Sequence, residues 1–162
     1  MSLGATPFNR GPAGGEPLDR RWIEAHIPHQ GPMCLLEEVL TWDGAHIRCR
    51  ATSHRLASNP LRAGGRLGAL CGVEYAGQAM AVHGAIMASI TGARARPGFL
   101  ASLRNLVLHV TRLDDLAEDL IASAERLAGD EGTALYQFAV SSAGRELLSG
   151  RAGIVFAGEE IR

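Results

Sequence analysis

Apolar and polar positions change rhythm twice along this chain. Ala45 to Thr52 alternates with a period of two, after a turn signal at Trp42-Asp43-Gly44, which predicts a half-buried strand. Gly68 to Thr91 is an almost unbroken run of small and apolar residues, too long for a strand, and predicts one long helix. Alternation then resumes at Phe99–Thr111, Asp119–Leu127, Thr133–Ser141 and Glu146–Phe156. Turn residues at Arg96-Pro97-Gly98, Gly129-Asp130-Glu131-Gly132 and Ala143-Gly144 separate these strands. Asp114 to Leu127 also fits a helical period. Upstream, Asp19 to His26 reads as a short helix, and Ile27-Pro28-His29-Gln30-Gly31-Pro32 as a loop that prolines keep from being helical. Met33 to Leu40 is a hydrophobic run with acids at Glu37 and Glu38, and Ser53 to Gly68 is irregular.

Strand, strand, long helix and about four further strands give an α+β class, with a mostly antiparallel sheet wrapped around the central helix. Residues 1–18 hold four glycines and three prolines and predict a disordered tail, leaving 19–162 as a single domain.

Charge narrows the function classes. The formal net charge is −1, so nothing global points to nucleic acid or to a membrane surface. The apolar stretch from Leu67 to Ile90 is interrupted by Glu74, Gln78, His83 and four glycines, which marks a buried helix rather than a membrane span. Cys34, Cys49 and Cys71 are spaced 15 and 22 apart, without a Cys-x-x-Cys pair. That argues against a disulfide framework or a zinc site and fits a reducing cytoplasm, as does the lack of an apolar leader in Met1 to Arg21. Gly64-Gly65 and Gly68 do not follow a strand as a dinucleotide fingerprint requires, and no metal cluster is visible.

Between Leu67 and Ala93 the only charged side chain is Glu74. On an apolar helix a carboxylate pays a large desolvation penalty unless paired or protonated, so its pKa is expected to rise towards the range of a general acid or base. The plainer alternative is a solvated or capping glutamate at the helix edge. Gln78, four residues on, lies about 40° around the helix and can orient Glu74. His83, nine residues on, lies about 180° away and faces elsewhere. Gly68 to Gly72 presents helix-start amides able to polarise a carbonyl. The helix glycines at 68, 72, 77 and 84 imply close approach of the sheet.

Gly72-Val73-Glu74-Tyr75-Ala76-Gly77-Gln78-Ala79 resembles the "E-x-x-A-Q" helix of 3-hydroxyacyl-acyl-carrier-protein dehydratases, which have the hot-dog fold. Ile27-Pro28-His29-Gln30-Gly31-Pro32-Met33 is similar to their "LPH-x-x-P" segment, and Pro97-Gly98-Phe99-Leu100 to the strand after their helix. The resemblance covers residues 26–156 and is nearest to the branch found with aryl-polyene pathways. It implies an obligate hot-dog dimer, homodimeric or paired with another hot-dog subunit, and an acyl tunnel beside the helix near the subunit interface. It also implies syn elimination of water from a 3-hydroxyacyl thioester, with Glu74 as the carboxylate, and no cofactor beyond the phosphopantetheine arm of an acyl carrier protein.

The family's histidine, fourteen positions before the carboxylate in a "G-H-F-P" loop, does not map, because position 60 is proline in Ser58-Asn59-Pro60-Leu61-Arg62. His54 is the nearest upstream histidine and the candidate base, with a strand-end surface position as its plainer reading. His29 is assigned to backbone bonds within its own loop, His46 to an exposed strand position, Asn59 to holding a thioester oxygen or water, and Tyr75 to packing against the sheet.

From Gly44 to Val73 there is no acid, yet Arg48, Arg50, Arg55, Arg62 and Arg66 lie there. This local excess either docks an acidic carrier protein and its phosphate or is simply solvated, and Arg66, nearest the helix start, is the first candidate. Three functions stay open: a dehydratase, a hot-dog thioesterase with Glu74 activating water, and a catalytically silent subunit that pairs with an active one.

Overall fold

A computed structural model of the chain describes residues 10–12 and 15–158. Helix α1 (Arg20–His26) starts where the Asp19 side chain accepts a hydrogen bond from Trp22 N at 3.1 Å, and it ends at Ile27, ahead of Pro28. Strands β1 (Glu38–Trp42) and β2 (His46–Ala51) form a hairpin, followed by the irregular segment to residue 68. A single 3₁₀ turn, Ala69–Cys71, leads into helix α2 (Gly72–Ile90). Strands β3 (Gly98–Leu108), β4 (Leu120–Gly129), β5 (Thr133–Ser142) and β6 (Arg145–Phe156) complete one antiparallel sheet in the order β1-β2-β4-β5-β6-β3. The expected class and element order are therefore found, and the ambiguous 114–127 segment resolves as loop and then strand from Leu120.

The sheet curls around α2, which packs on β2, β4 and β5. Ile47, Cys49, Leu120, Ala122, Tyr136, Phe138 and Val140 face the helix and are buried with Tyr75, Ala79, Val82 and Ile86. At roughly 25 cal/mol per Å² of apolar area, this one-sided burial is the main force holding sheet to helix. Close approach explains one helix glycine: a Cβ at Gly72 would stand 2.5 Å from Leu148 Cδ2. It does not explain the others, since Cβ atoms at Gly68, Gly77 and Gly84 would meet nothing within 4 Å. Val73, Glu74, Gly77, Ala81 and Gly84 of α2 are partly exposed and line its face away from the sheet.

Much of the expected 1–18 tail lies outside the described residues, but its described end is packed rather than loose. Leu18 is buried and its carbonyl accepts from Val39 N at 2.9 Å, while Glu16 accepts from Trp22 Nε1 at 3.0 Å. Among the described residues no helix is long and apolar enough to cross a membrane, and no group of three or more metal-ligating side chains occurs.

Candidate active site

Gln78 is the organising residue. Fully buried on α2, it accepts from Leu35 N at 2.9 Å and donates from Nε2 to Met33 O at 2.8 Å and to Glu74 Oε1 at 3.3 Å. Its amide thus grips the 33–35 backbone and, one helical turn back, the carboxylate. The expected orientation of Glu74 by Gln78 is present in this geometry.

The same grip brings in His29, whose Nε2 lies 3.2 Å from Glu74 Oε1. Pro28 and Pro32 bracket its loop, Gly31 takes a φ of +56° that suits glycine, and Arg20 Nη2 donates to Gly31 O at 2.9 Å. Gln30, not His29, makes the loop's backbone bonds, donating to Ile27 O at 3.3 Å and to Glu24 O. This corrects the assignment of His29 to loop stabilisation. Its Nδ1 is buried without a hydrogen-bond partner, so the ring's nearest polar partner is Glu74.

Glu74 is not sealed in an apolar slot. Its side chain is 40% exposed and that of His29 28%, because they sit on the α2 face that the sheet leaves open. A surface groove of about 480 Å³ lies on the sheet around Arg48, Ser123, Gln137 and Ser149 and takes no residue from α2.

The other candidates are held elsewhere. His54 is buried on a 3₁₀ turn, Ser53–Arg55, with Nε2 donating to Leu116 O at 3.1 Å. Burial lowers its pKa, and its hydrogen bonds run to the 116–118 loop, with none to Glu74 among the described residues. Asn59 is saturated: Nδ2 donates to Ser53 O at 2.9 Å and Tyr75 Oη at 3.0 Å, and Oδ1 accepts from Leu61 N at 2.9 Å. It stitches the loop and has no N–H left for a thioester oxygen. Tyr75 joins that loop network rather than merely packing on the sheet, its hydroxyl lying 2.8 Å from Ser53 Oγ. Ser53 Oγ donates in turn to Leu35 O at 2.8 Å, so the 53–61 loop and the Gln78 grip share one strut.

At the helix start Gly68 is exposed, but the Ala69, Cys71 and Gly72 amides are already bonded to Thr111 O, Gly68 O and Ala69 O, fewer free donors than expected. The arginine excess is also smaller than it looks. Arg50 pairs with Glu38 at 3.0 Å and Asp119 at 3.2 Å, Arg55 with Asp119 at 2.8 Å, and Arg62 donates to the His54 and Gly65 carbonyls at 3.1 Å. Arg48 and Arg66 are exposed without an ion pair among the described residues. The acids that neutralise the run come from β1 and from the segment before β4, beyond the reach of local counting.

What the geometry offers is an imidazole and a carboxylate from one chain, in contact and partly open to a ligand. The family described as ApeP dehydratase matches residues 21–160. No curated protein matches the sequence. A chain of the dehydratase heterocomplex ApeI:P from Xenorhabdus doucetiae is similar at 22% identity and a TM-score of 0.75, over 85% of this chain and 91% of that one. Zebra fish thioesterase superfamily member 2 is similar at 16% identity and a TM-score of 0.57, over 85% and 95%. The putative thioesterase from Shewanella oneidensis is similar at 8% identity and a TM-score of 0.58, over 86% and 94%. At these identities the neighbours establish the hot-dog fold alone.

Proposed function

This chain belongs to the ApeP dehydratase family, and on that premise we propose that it eliminates water from a 3-hydroxyacyl thioester with His29 and Glu74 as its acid–base pair. The observation that carries the reading is the 3.2 Å contact between His29 Nε2 and Glu74 Oε1. The working pair holds one proton. With that proton on Glu74, the neutral imidazole takes the α-proton as the bond from the β-carbon to oxygen breaks. The carboxyl group then gives its proton to the departing hydroxyl, which leaves as water. Turnover ends with an imidazolium beside a carboxylate, and one proton crossing the contact restores the starting state. In this scheme His29 replaces the histidine that the "G-H-F-P" loop would have supplied.

The substrate reading is an acyl chain on the phosphopantetheine arm of an acyl carrier protein, with Arg66 and Arg48 as the unpaired cations for an acidic carrier. No further cofactor enters the scheme. A second hot-dog subunit is the proposed partner. The ApeI:P neighbour is a heterocomplex by description, and the bare face of this chain supports the same arrangement. Leu100, Leu103 and Leu108 on β3 continue rows that are buried on β5 at Ala134, Tyr136 and Val140, yet they are exposed because α2 does not reach them.

The test follows enoyl formation from a 3-hydroxyacyl pantetheine thioester, using the chain alone and with the hot-dog subunit that co-purifies with it. Glu74→Gln and His29→Asn are each expected to lower turnover about 10²-fold or more. Full activity of His29→Asn would overturn the assignment. The openness of Glu74 to water favours one competing chemistry, thioester hydrolysis, which would release thiol without an enoyl product.

A further inference from the structure

Resting on the reading that a hot-dog subunit covers β3, we infer that this edge is built for a non-identical subunit that brings an acid opposite Arg104. Among the described residues strand β3 is hydrogen-bonded only to β6, and its other edge carries no ladder partner. Both of its faces carry apolar side chains, with Phe99 62% and Leu100 51% exposed. A long apolar edge of this kind invites any strand, its own copy included, unless something on it discriminates.

The discriminating feature is charge. On the outer face, the cross-strand row runs His46–Glu125–Gln137–Arg151–Arg104, from β2 to β3. It ends in two arginines set directly opposite one another, an arrangement that destabilises a sheet unless a counter-charge is near. Arg104 makes no hydrogen bond or ion pair among the described residues, and the one bond of Arg151 runs from Nε to the neutral Gln137 Oε1 at 3.1 Å. Residues 98–108 include no acid. The nearest acid in the row, Glu125, is three strands from Arg104, roughly 14 Å, beyond the screening length of about 8 Å at physiological salt. It is also engaged by His46 at 3.6 Å.

Self-pairing makes this worse. The regular part of β3 runs Ser102–Arg104, between register shifts at 100/102 and 104/107, with Asn105 in the left-handed region at φ +53°. An antiparallel copy centred on Leu103 would set Arg104 against Ser102 of that copy, with the two Arg104 side chains diagonal neighbours about 7–8 Å apart. Four arginines would then share one outer-face patch without an acid. A different subunit with Asp or Glu at the matching position satisfies both arginines and keeps every apolar contact. The arginine pair thus works as a repulsive element against the copy and an attractive one towards the partner.

The chain itself supplies the probe. Wild type, the R104E/R151E variant and their equimolar mixture are compared by native mass spectrometry and sedimentation at low and high salt. The expected result is a mixed dimer at least about tenfold tighter than either self-dimer at low salt, with the difference shrinking as salt rises. Equal affinities in all three would overturn the charge inference and leave the subunit partner standing. No association in any of them, with all three chains folded, would remove both the inference and β3 as the partner face.

Discussion

The junction around Gln78 and the β3 edge are opposites in how their polar and apolar groups are met. At the junction the amide of one buried glutamine is fully engaged, the loop hydroxyls are bonded in series, and a histidine reaches a glutamate, all within one chain. At the edge, leucines in core-facing rows stand uncovered and two arginines oppose each other without an acid. The proposed acid–base pair is brought together within the subunit alone, while the surface that would enclose it is not. Partial exposure of Glu74 belongs to the second half of that contrast, because it sits on the face of α2 that the chain's own sheet does not cover.

The sharpest way to break the comparison is to test whether the junction acts as a unit. A double variant, Glu74→Gln with His29→Asn, is expected to lose no more activity than either single variant, about 10²–10⁴-fold in kcat, since removing one member disables the shared proton. Losses that multiply would mean that the two residues act separately.

Next in size is the strut beneath the pair. Gln78→Leu keeps the volume but strands Leu35 N–H in the interior and frees the loop carrying His29. One buried donor left unsatisfied, together with the lost carbonyl bond, is expected to cost about 2–3 kcal/mol, read by thermal or urea unfolding. Turnover should fall with it, since the 3.2 Å contact depends on that loop. A stable variant with intact kcat would show that the grip is incidental.

These two experiments probe residues of very different visibility in the sequence. The sheet and α2 could be read because they rest on local periodicity: from β2 onward the expected strands match the observed ones to within a few residues, β1 (Glu38–Trp42) starts late in the run expected at Met33–Leu40, and α2 begins only a 3₁₀ turn later than expected. Gln78 was legible for the same reason, one turn from Glu74 on a single helix. His29 was not. It meets Glu74 across 45 positions, through a loop fixed by Gly31, Arg20 and the Gln78 amide, and no spacing rule connects such residues. The signal that would have flagged it was its place in a motif already singled out, a polar ring between two prolines with no local partner of its own. The arginine run failed in the converse way, since its neutralising acids Glu38 and Asp119 come from β1 and from the segment before β4.

The edge half of the contrast predicts a loss confined to association. Leu100→Asp with Leu103→Asp places charges on side chains that the lone subunit leaves exposed. Monomer stability should change by no more than about 0.5 kcal/mol, as for other surface substitutions. Binding of a second hot-dog subunit should weaken at least about tenfold by sedimentation. Destabilisation of the monomer itself would mean that the chain covers this face, and the comparison would lose its second term.

The smallest expected effect lies in the interior, at two histidines that do no chemistry here. His83 is fully buried on α2, with Nε2 donating to Asp43 O at 2.9 Å and Nδ1 accepting from Tyr136 Oη at 2.9 Å, so its ring is held neutral. Burial lowers the pKa of both His83 and His54 below the usual value near 6.5. The unfolded chain therefore takes up protons first as pH falls. The stability due to the neutral rings is complete above about pH 6.5 and drains away below it, until the folded-state pKa values are reached, by at most about 1.4 kcal/mol per pH unit for each histidine. The lowered carboxylates Asp43, Asp114, Asp119 and Asp130 respond only at lower pH, which keeps the window between about pH 5 and 6.5 for the histidines. Unfolding midpoints at pH 7.5, 6.0 and 5.0 should fall in wild type and fall less in His83→Gln. An equal slope in the two proteins would mean that the His83 pocket admits a charge, and the interior would be less self-sufficient than its hydrogen bonds imply.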